Sequence, residues 1–222
     1  MKLLIITLHA DPTINPGAEE GGGTHMYVNE IINLLVYKQV DSLVITRKAS
    51  NGLNNFQYGN VLIKRINIGP ATNWDKNNLD KRESDIKHHI YNELKLYDFV
   101  PDLVHSIYWH SGRAGVFFSE FFDVPLIHTV ISLGARKKEA GYEVSKYRID
   151  IENKIFSKAK VIISVSEQEK QDLIEYYNVP PEKVKVIGRG VDTIFIEHLY
   201  NEKGTLISRR SLDIKKFTDY EF

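Results

Sequence analysis

Short runs of β-branched and aliphatic residues recur along the chain, separated by helix-period patterns, and this alternation limits the fold more than any other feature. The runs are LLIITL from Leu3, SLVIT from Ser42, VLIKRI from Val61, DLVHSI from Asp102, PLIHTV from Pro125, KVIISV from Lys160 and KVKVI from Lys183. Several are apolar on both faces, as strands of a parallel sheet covered on both sides are. Between them, Val28, Ile31, Ile32 and Leu35 follow the i, i+3, i+4, i+7 spacing of a one-sided helix, and Ile86, Ile90 and Leu94 recur at i, i+4, i+8. SGRAGVFFSEFF, SKYRIDIENKIFSKA and SEQEKQDLIEYYN read as further helices, the last opened by a capping box of Ser166 with Glu169. Strands alternating with helices imply crossover connections. The expected fold is therefore α/β, a Rossmann-like open parallel sheet with helices on both faces.

At 222 residues the chain suits one sizeable core. The pattern stops after GVDTIF, so the expected division is a domain over 1–197 and a polar tail over 198–222, or the start of a linker. Lys plus Arg and Asp plus Glu both number 29, which gives no general attraction to nucleic acid or to an anionic membrane surface. An anion site must then be local. The absence of cysteine excludes a disulfide framework and thiolate metal sites, and fits a reducing compartment. The opening MKLLIITLHADP has an apolar run too short for a secretory signal or a membrane span, so no integral membrane segment is expected and the location expected is cytoplasmic.

In an open α/β sheet, ligands gather at the carboxyl ends of the strands. The segment His9 to Gly23 follows the first strand and leads into the first helix. It holds Gly21, Gly22 and Gly23, followed at once by Thr24 and His25. Glycines there let backbone N–H groups and the positive end of a helix face an anion, typically a phosphate; the plain alternative is a surface loop. A nicotinamide-dinucleotide fold fits poorly, because GxGxxG is absent and no acid follows SLVIT to hold a ribose. His128 lies at the end of PLIHT, where it is either a satisfied core residue or a group at the ligand edge. HSIYWHSG also ends a strand and brings Tyr108, Trp109, His110 and Ser111 to that edge, as core packing or as a sugar platform. His88 and His89 point to different helix faces, no HExxH is present, and no GxSxG elbow appears, so neither a metal site nor the usual acyl-transfer nucleophile is expected.

With these features in register, the chain resembles the N-terminal, acceptor-side half of retaining glycosyltransferases of the GT-B fold, family 4. The resemblance runs through HADPTINPGAEEGGGTHMYVNEIINLL, INIGPATNWDKNNL, PDLVHSIYWHSGRAG, VPLIHTVISLG, RIDIENKIFSKAKVIISVSEQEKQDL and PPEKVKVIGRGVDTIF. Each is weak alone; together and in order they cover nearly the whole chain. The resemblance implies that the loop at Gly21, Gly22, Gly23, Thr24 and His25 faces the donor diphosphate and sugar, and that His128 lies beside the transferred sugar. It further implies that Lys76, Tyr108, Thr129 and Arg148 hold the phosphate of a phosphorylated acceptor. No metal or bound cofactor is implied, the nucleotide sugar being a co-substrate, and departure of the diphosphate is helped electrostatically.

The departures are as informative. HTxHSLG appears as HTVISLG, with Ile131 in place of the second histidine, and the proline-glycine before VD appears as Arg189-Gly190. These enzymes also carry a second Rossmann-like domain that binds the donor, which has no counterpart here, so the expected partner is that C-terminal domain in cis or in trans. The expected function is the acceptor-binding half of a nucleotide-sugar-dependent hexosyltransferase, with turnover by these residues alone not expected. The alternative is a non-catalytic module for a sugar phosphate or nucleotide. For Arg148, the competing arrangement is an ion pair with Asp150 or Glu152 on its own helix, of which only Glu152 stands at i+4.

Overall fold

The computed structural model describes residues 1–14, 22–48, 55–69, 79 and 81–188, and Met1–Gly188 forms one compact unit. Gly21, Lys76 and the 198–222 tail lie outside the described residues, as does the expected boundary at 197. The strands are β1 (Lys2–Ile6), β2 (Asp41–Arg47), β3 (Phe56–Tyr58), β4 (Val61–Ile66), β5 (Leu103–Ile107), β6 (Leu126–Thr129), β7 (Val161–Ser164) and β8 (Val184–Val186). The helices are α1 (Gly23–Tyr37), α2 (Glu83–Leu96), α3 (Trp109–Phe122), α4 (Gly134–Glu139), α5 (Lys146–Lys158) and α6 (Glu167–Tyr177). The strands form one sheet in the order β3-β4-β2-β1-β5-β6-β7-β8.

Every apolar run of the sequence is a parallel strand of this sheet. The departure from a purely parallel sheet is β3, an antiparallel edge strand turned back on β4 through Gly59 and Asn60. Gly59 has φ +56°, and a Cβ there would lie 3.3 Å from Val36 Cγ1, so both backbone and space favour glycine.

Alternation along the strands sends successive side chains to opposite faces and builds two cores. Leu4, Ile6, Val104, Leu126 and Ile162 pack with Ile86, Ile90, Phe118, Ile155 and Leu173 of α2, α3, α5 and α6. Leu3, Ile5, Val44 and Ile63 pack on the other face with Val28 and Ile32 of α1. Helices therefore cover both faces, as the pattern requires. Four of them end alike: Gln39, Asp98, Asp123 and Asn178 take positive φ, and the next residue's N–H returns to a carbonyl of the last turn. Those next residues, Val40, Phe99, Val124 and Val179, are apolar and carry the chain back toward the sheet, a Schellman-type closure. The expected cap of α6 is present, with Ser166 Oγ accepting from Glu169 N at 3.1 Å. Glu169 completes it one residue early, accepting from Val165 N at 2.9 Å rather than from Ser166.

Candidate functional site

β1 pairs with β2 on one side and β5 on the other, so connections leave the sheet centre in opposite directions. That reversal is a topological switch point, where the loops after the two strands diverge and leave a crevice. The loop after β1 crosses to the head of α3: Leu8 N donates to Ser111 Oγ at 3.0 Å, and the His9 ring lies 4.4 Å from that of Tyr108.

Tyr108 joins β5 to α3 without an intervening loop and holds φ 67°, ψ 153°. That region is populated almost only by glycine and costs a side-chain-bearing residue about 1–3 kcal/mol. Its surroundings enforce it. Tyr108 N donates to Thr129 O at 3.0 Å, and Tyr108 O accepts from Ser111 N and Gly112 N at 3.0 and 3.2 Å. A tyrosine held where the backbone favours glycine carries strain. Tyr108→Gly should then be more stable than Tyr108→Ala by about 1 kcal/mol or more, since both lose the ring and only glycine relieves the strain. Urea unfolding of the two variants measures this, and equal midpoints would contradict the strain.

Arg148 comes to Tyr108 from α5. Its guanidinium carbon lies 5.6 Å from the Tyr108 ring centre and 5.4 Å from that of Trp109. Nε donates to Glu152 Oε1 at 2.9 Å, and Nη2 donates to Ser132 O and Oγ at 2.9 and 3.2 Å. The ion pair with Glu152 that spacing allowed is therefore formed. It leaves Nη1 without a hydrogen bond among the described residues. Glu152 also accepts from Gly134 N, at 2.9 Å, and from the Tyr177 hydroxyl. Burial first, then the Glu152 charge, raises the Tyr177 phenol well above its usual range.

Tyr108, Thr129 and Arg148 are thus brought together. Thr129, however, is fully buried with its hydroxyl 2.8 Å from His105 Nε2, so only its carbonyl meets Tyr108. His128 is 1 % exposed and faces α3 and α5, with Nδ1 2.8 Å from Ser106 Oγ and its ring 5.8 Å from Phe156. Here it is a satisfied core histidine. Burial, with a smaller contribution from His105, pushes its pKa down to about 3, and burial pushes His105 down to about 4. Both rings are neutral at ordinary pH.

Gly22, Gly23, Thr24 and His25 open α1, the helix that follows the strand beside β5. His25 Nδ1 accepts from Gly22 N at 3.2 Å, fixing the first turn, and no acidic residue stands in that turn. Gly22 has φ −139°, and a Cβ there would meet nothing within 4 Å. Among the described residues, neither backbone nor neighbours demand glycine at this position.

Of the edge aromatics, Trp109 is core, 4 % exposed, and its Nε1 is buried without a hydrogen-bond partner among the described residues. Sequence reading did not single out His9, whose ring supports Tyr108, although its place after β1 was a signal. It also gave Glu152 only as a rival to phosphate for Arg148, where the carboxylate holds the guanidinium, α4 and α6 together.

The sequence model of a family described as Glycosyltransferase Family 4 matches residues 21–195. A curated relative, D-inositol 3-phosphate glycosyltransferase of Corynebacterium aurimucosum, is 28% identical over 200 residues, covering 87% of this chain and 47% of its own length. Among solved structures, sucrose-phosphate synthase of Thermosynechococcus elongatus superposes with TM-score 0.77 at 23% identity, over 87% of this chain and 49% of that one. Anabaena Alr3699/HepE, solved with UDP and glucose, gives 0.59 at 15% identity, over 99% of this chain and 49% of that one. The chain spans about half the length of the curated relatives it matches. No described helix is long and apolar enough to cross a membrane.

Proposed function

The chain belongs to glycosyltransferase family 4, and from that premise we propose that it is the acceptor-side half of a retaining enzyme that transfers a sugar from a nucleotide diphosphate to a small, phosphorylated, hydroxylated acceptor. The carrying observation is the strained Tyr108 at the switch point, with the Arg148 guanidinium beside it and its Nη1 without a hydrogen bond among the described residues. A guanidinium fork and a phenol hydroxyl are donors suited to phosphate oxygens. The names of the relatives, an inositol 3-phosphate glycosyltransferase and a sucrose-phosphate synthase, support an acceptor of that class.

The donor side rests on the N-terminus of α1, which opens on Gly22 and Gly23 without an acidic residue in its first turn. Backbone N–H groups there and the helix dipole favour the charge of a diphosphate. Gly21 and Lys76 complete the reading by the family resemblance alone. His128 is assigned to orienting the transferred sugar by the family resemblance alone, its ring being buried here with Nδ1 2.8 Å from Ser106 Oγ. Its neutral form suits a hydrogen-bond contact rather than a charge. The donor nucleotide is held by a second domain, in cis or in trans, without which transfer is not expected, since proximity cannot help a donor that is not bound.

Calorimetric titration of inositol 3-phosphate and inositol into the chain tests the acceptor class. The phosphorylated compound should bind more tightly and lose affinity with added salt. Arg148→Lys, which keeps the charge beside Glu152 but loses the planar fork, should weaken it by about tenfold, the equivalent of one charge-assisted hydrogen bond. Equal affinity for the two compounds, or indifference to Arg148→Lys, sinks the phosphate reading. Binding without turnover after a family donor-binding domain is supplied would favour a non-catalytic module.

A further inference from the structure

On the β3–β4 side of α1 the structure holds a second cleft, of about 450 Å³, within the range of small-ligand sites. It is distinct from the switch-point crevice. In the sheet order β2 stands between β4 and the β1–β5 switch point, so two strand spacings, roughly 10 Å, separate β4 from the near wall of that crevice.

One wall is aromatic. Phe56 and Tyr58 alternate with Gln57 on β3 and so share the α1 face, opposite Ile63 and Val61 of β4. They are 51% and 48% exposed. No residue of this short strand is buried, so the fold itself has no need of two aromatic rings there. The other wall is amide. Asn29 and Asn33 lie one turn apart on α1, with Asn33 Nδ2 donating to Asn29 Oδ1 at 3.0 Å and Asn29 Nδ2 donating to Pro12 O at 2.8 Å. That chain orients both amides and leaves Asn33 Oδ1 as an acceptor without a partner among the described residues.

The inner end is charged but closed. Arg65 Nε donates to Asp11 Oδ2 at 2.6 Å and Nη2 to Asp11 Oδ1 at 3.1 Å, with the two side chains 2% and 1% exposed. A buried bidentate pair presents no net charge, so an ionic ligand finds its counter-charge already taken. What remains is two aromatic side chains across from oriented amides. A sugar ring offers the complement: an apolar C–H face to stack and adjacent hydroxyls for amide groups. A nucleobase is served less well, because Phe56 and Tyr58 stand side by side, about 7 Å apart along one strand, as a platform rather than a slot.

We propose that this cleft is a second binding site, and that it takes a neutral saccharide. It stands independently of the phosphate-acceptor reading. The test is saturation-transfer NMR and calorimetric titration of the 222-residue chain with maltotriose, cellotriose and chitotriose, using Phe56→Ala, Asn33→Ala and Arg148→Lys variants. At least one trisaccharide should bind with a dissociation constant of about 1 mM, unaffected by salt. Phe56→Ala and Asn33→Ala should each weaken it by about fivefold to tenfold with unchanged urea midpoints, since both positions are exposed, and Arg148→Lys should leave it unaltered. Silence from all three trisaccharides at about 10 mM overturns the proposal. So does binding that ignores Phe56→Ala and Asn33→Ala, or that is displaced by uridine more readily than by glucose. Loss of inositol 3-phosphate binding in Arg148→Lys, with trisaccharide binding intact, would show the two sites failing or standing separately.

Discussion

Replacing Glu152 by alanine is expected to remove about 3–5 kcal/mol of folding stability, the scale set by leaving a buried charge without its partner. The carboxylate is 1 % exposed and serves the Arg148 guanidinium, the Gly134 N–H and the Tyr177 hydroxyl at once. Its removal takes an acceptor from all three inside the protein. The fit is close: a Cβ at Gly134 would come within 2.8 Å of Glu152 Oε2 and 3.2 Å of Arg148 Nε, so glycine at the head of α4 is what lets the carboxylate reach the backbone. Domains of this kind are stable by about 5–15 kcal/mol in all, so the loss in Glu152→Ala is a large share of the total. Glu152→Gln keeps the shape and an acceptor but not the charge, and should lose roughly half as much. Urea unfolding ranks the variants. A loss under about 1 kcal/mol for alanine would mean that the carboxylate does not hold this corner of the fold. The glutamine variant also carries a functional readout, because Arg148 freed from its counter-charge should bind phosphate more tightly even as the domain weakens.

What the sequence disclosed, and what it withheld, follows from burial. Seven parallel strands were legible because each is buried on at least one face and so reads as an apolar run. β3 was not: its three residues are all exposed, and FQY before a Gly-Asn turn carries no core signal. The edge position of Tyr108 was legible from the end of β5. Its positive φ was not, since strain at a tyrosine is imposed by the hydrogen bonds of Thr129, Ser111 and Gly112 around it. Arg148 with Glu152 was legible at helical spacing, whereas Tyr177 and Gly134 come to the same carboxylate from distant segments. For His128 both readings were open. In this structure parity places it in the core: it shares a face with Leu126, and that face meets α3 and α5, which no single run of sequence reveals.

Acid should destabilise the domain well before its carboxylates titrate. His105 and His128 are held neutral by burial, with pKa values lowered from 6.5 to about 4 and about 3. Between those values and 6.5 the unfolded chain binds protons that the folded chain refuses, so stability rises with pH across that window. The contribution is complete above 6.5 and is lost progressively as pH falls toward 4 for His105 and 3 for His128. By pH 5 each histidine should have withdrawn about 2 kcal/mol, and together about 4, a large share of the total. Urea midpoints from neutral pH down to about pH 5 check this, and His105→Gln and His128→Asn should each flatten the decline by about half. A wild-type curve that stays flat would mean that the rings are wetter than their surroundings imply. The same titration bears on His128 in a chain joined to a donor-binding domain. A ring that stays neutral while the fold is intact contributes no protonation step to turnover near 6.5. Activity lost there should track unfolding, and a loss that precedes it would place the titrating group elsewhere than His128.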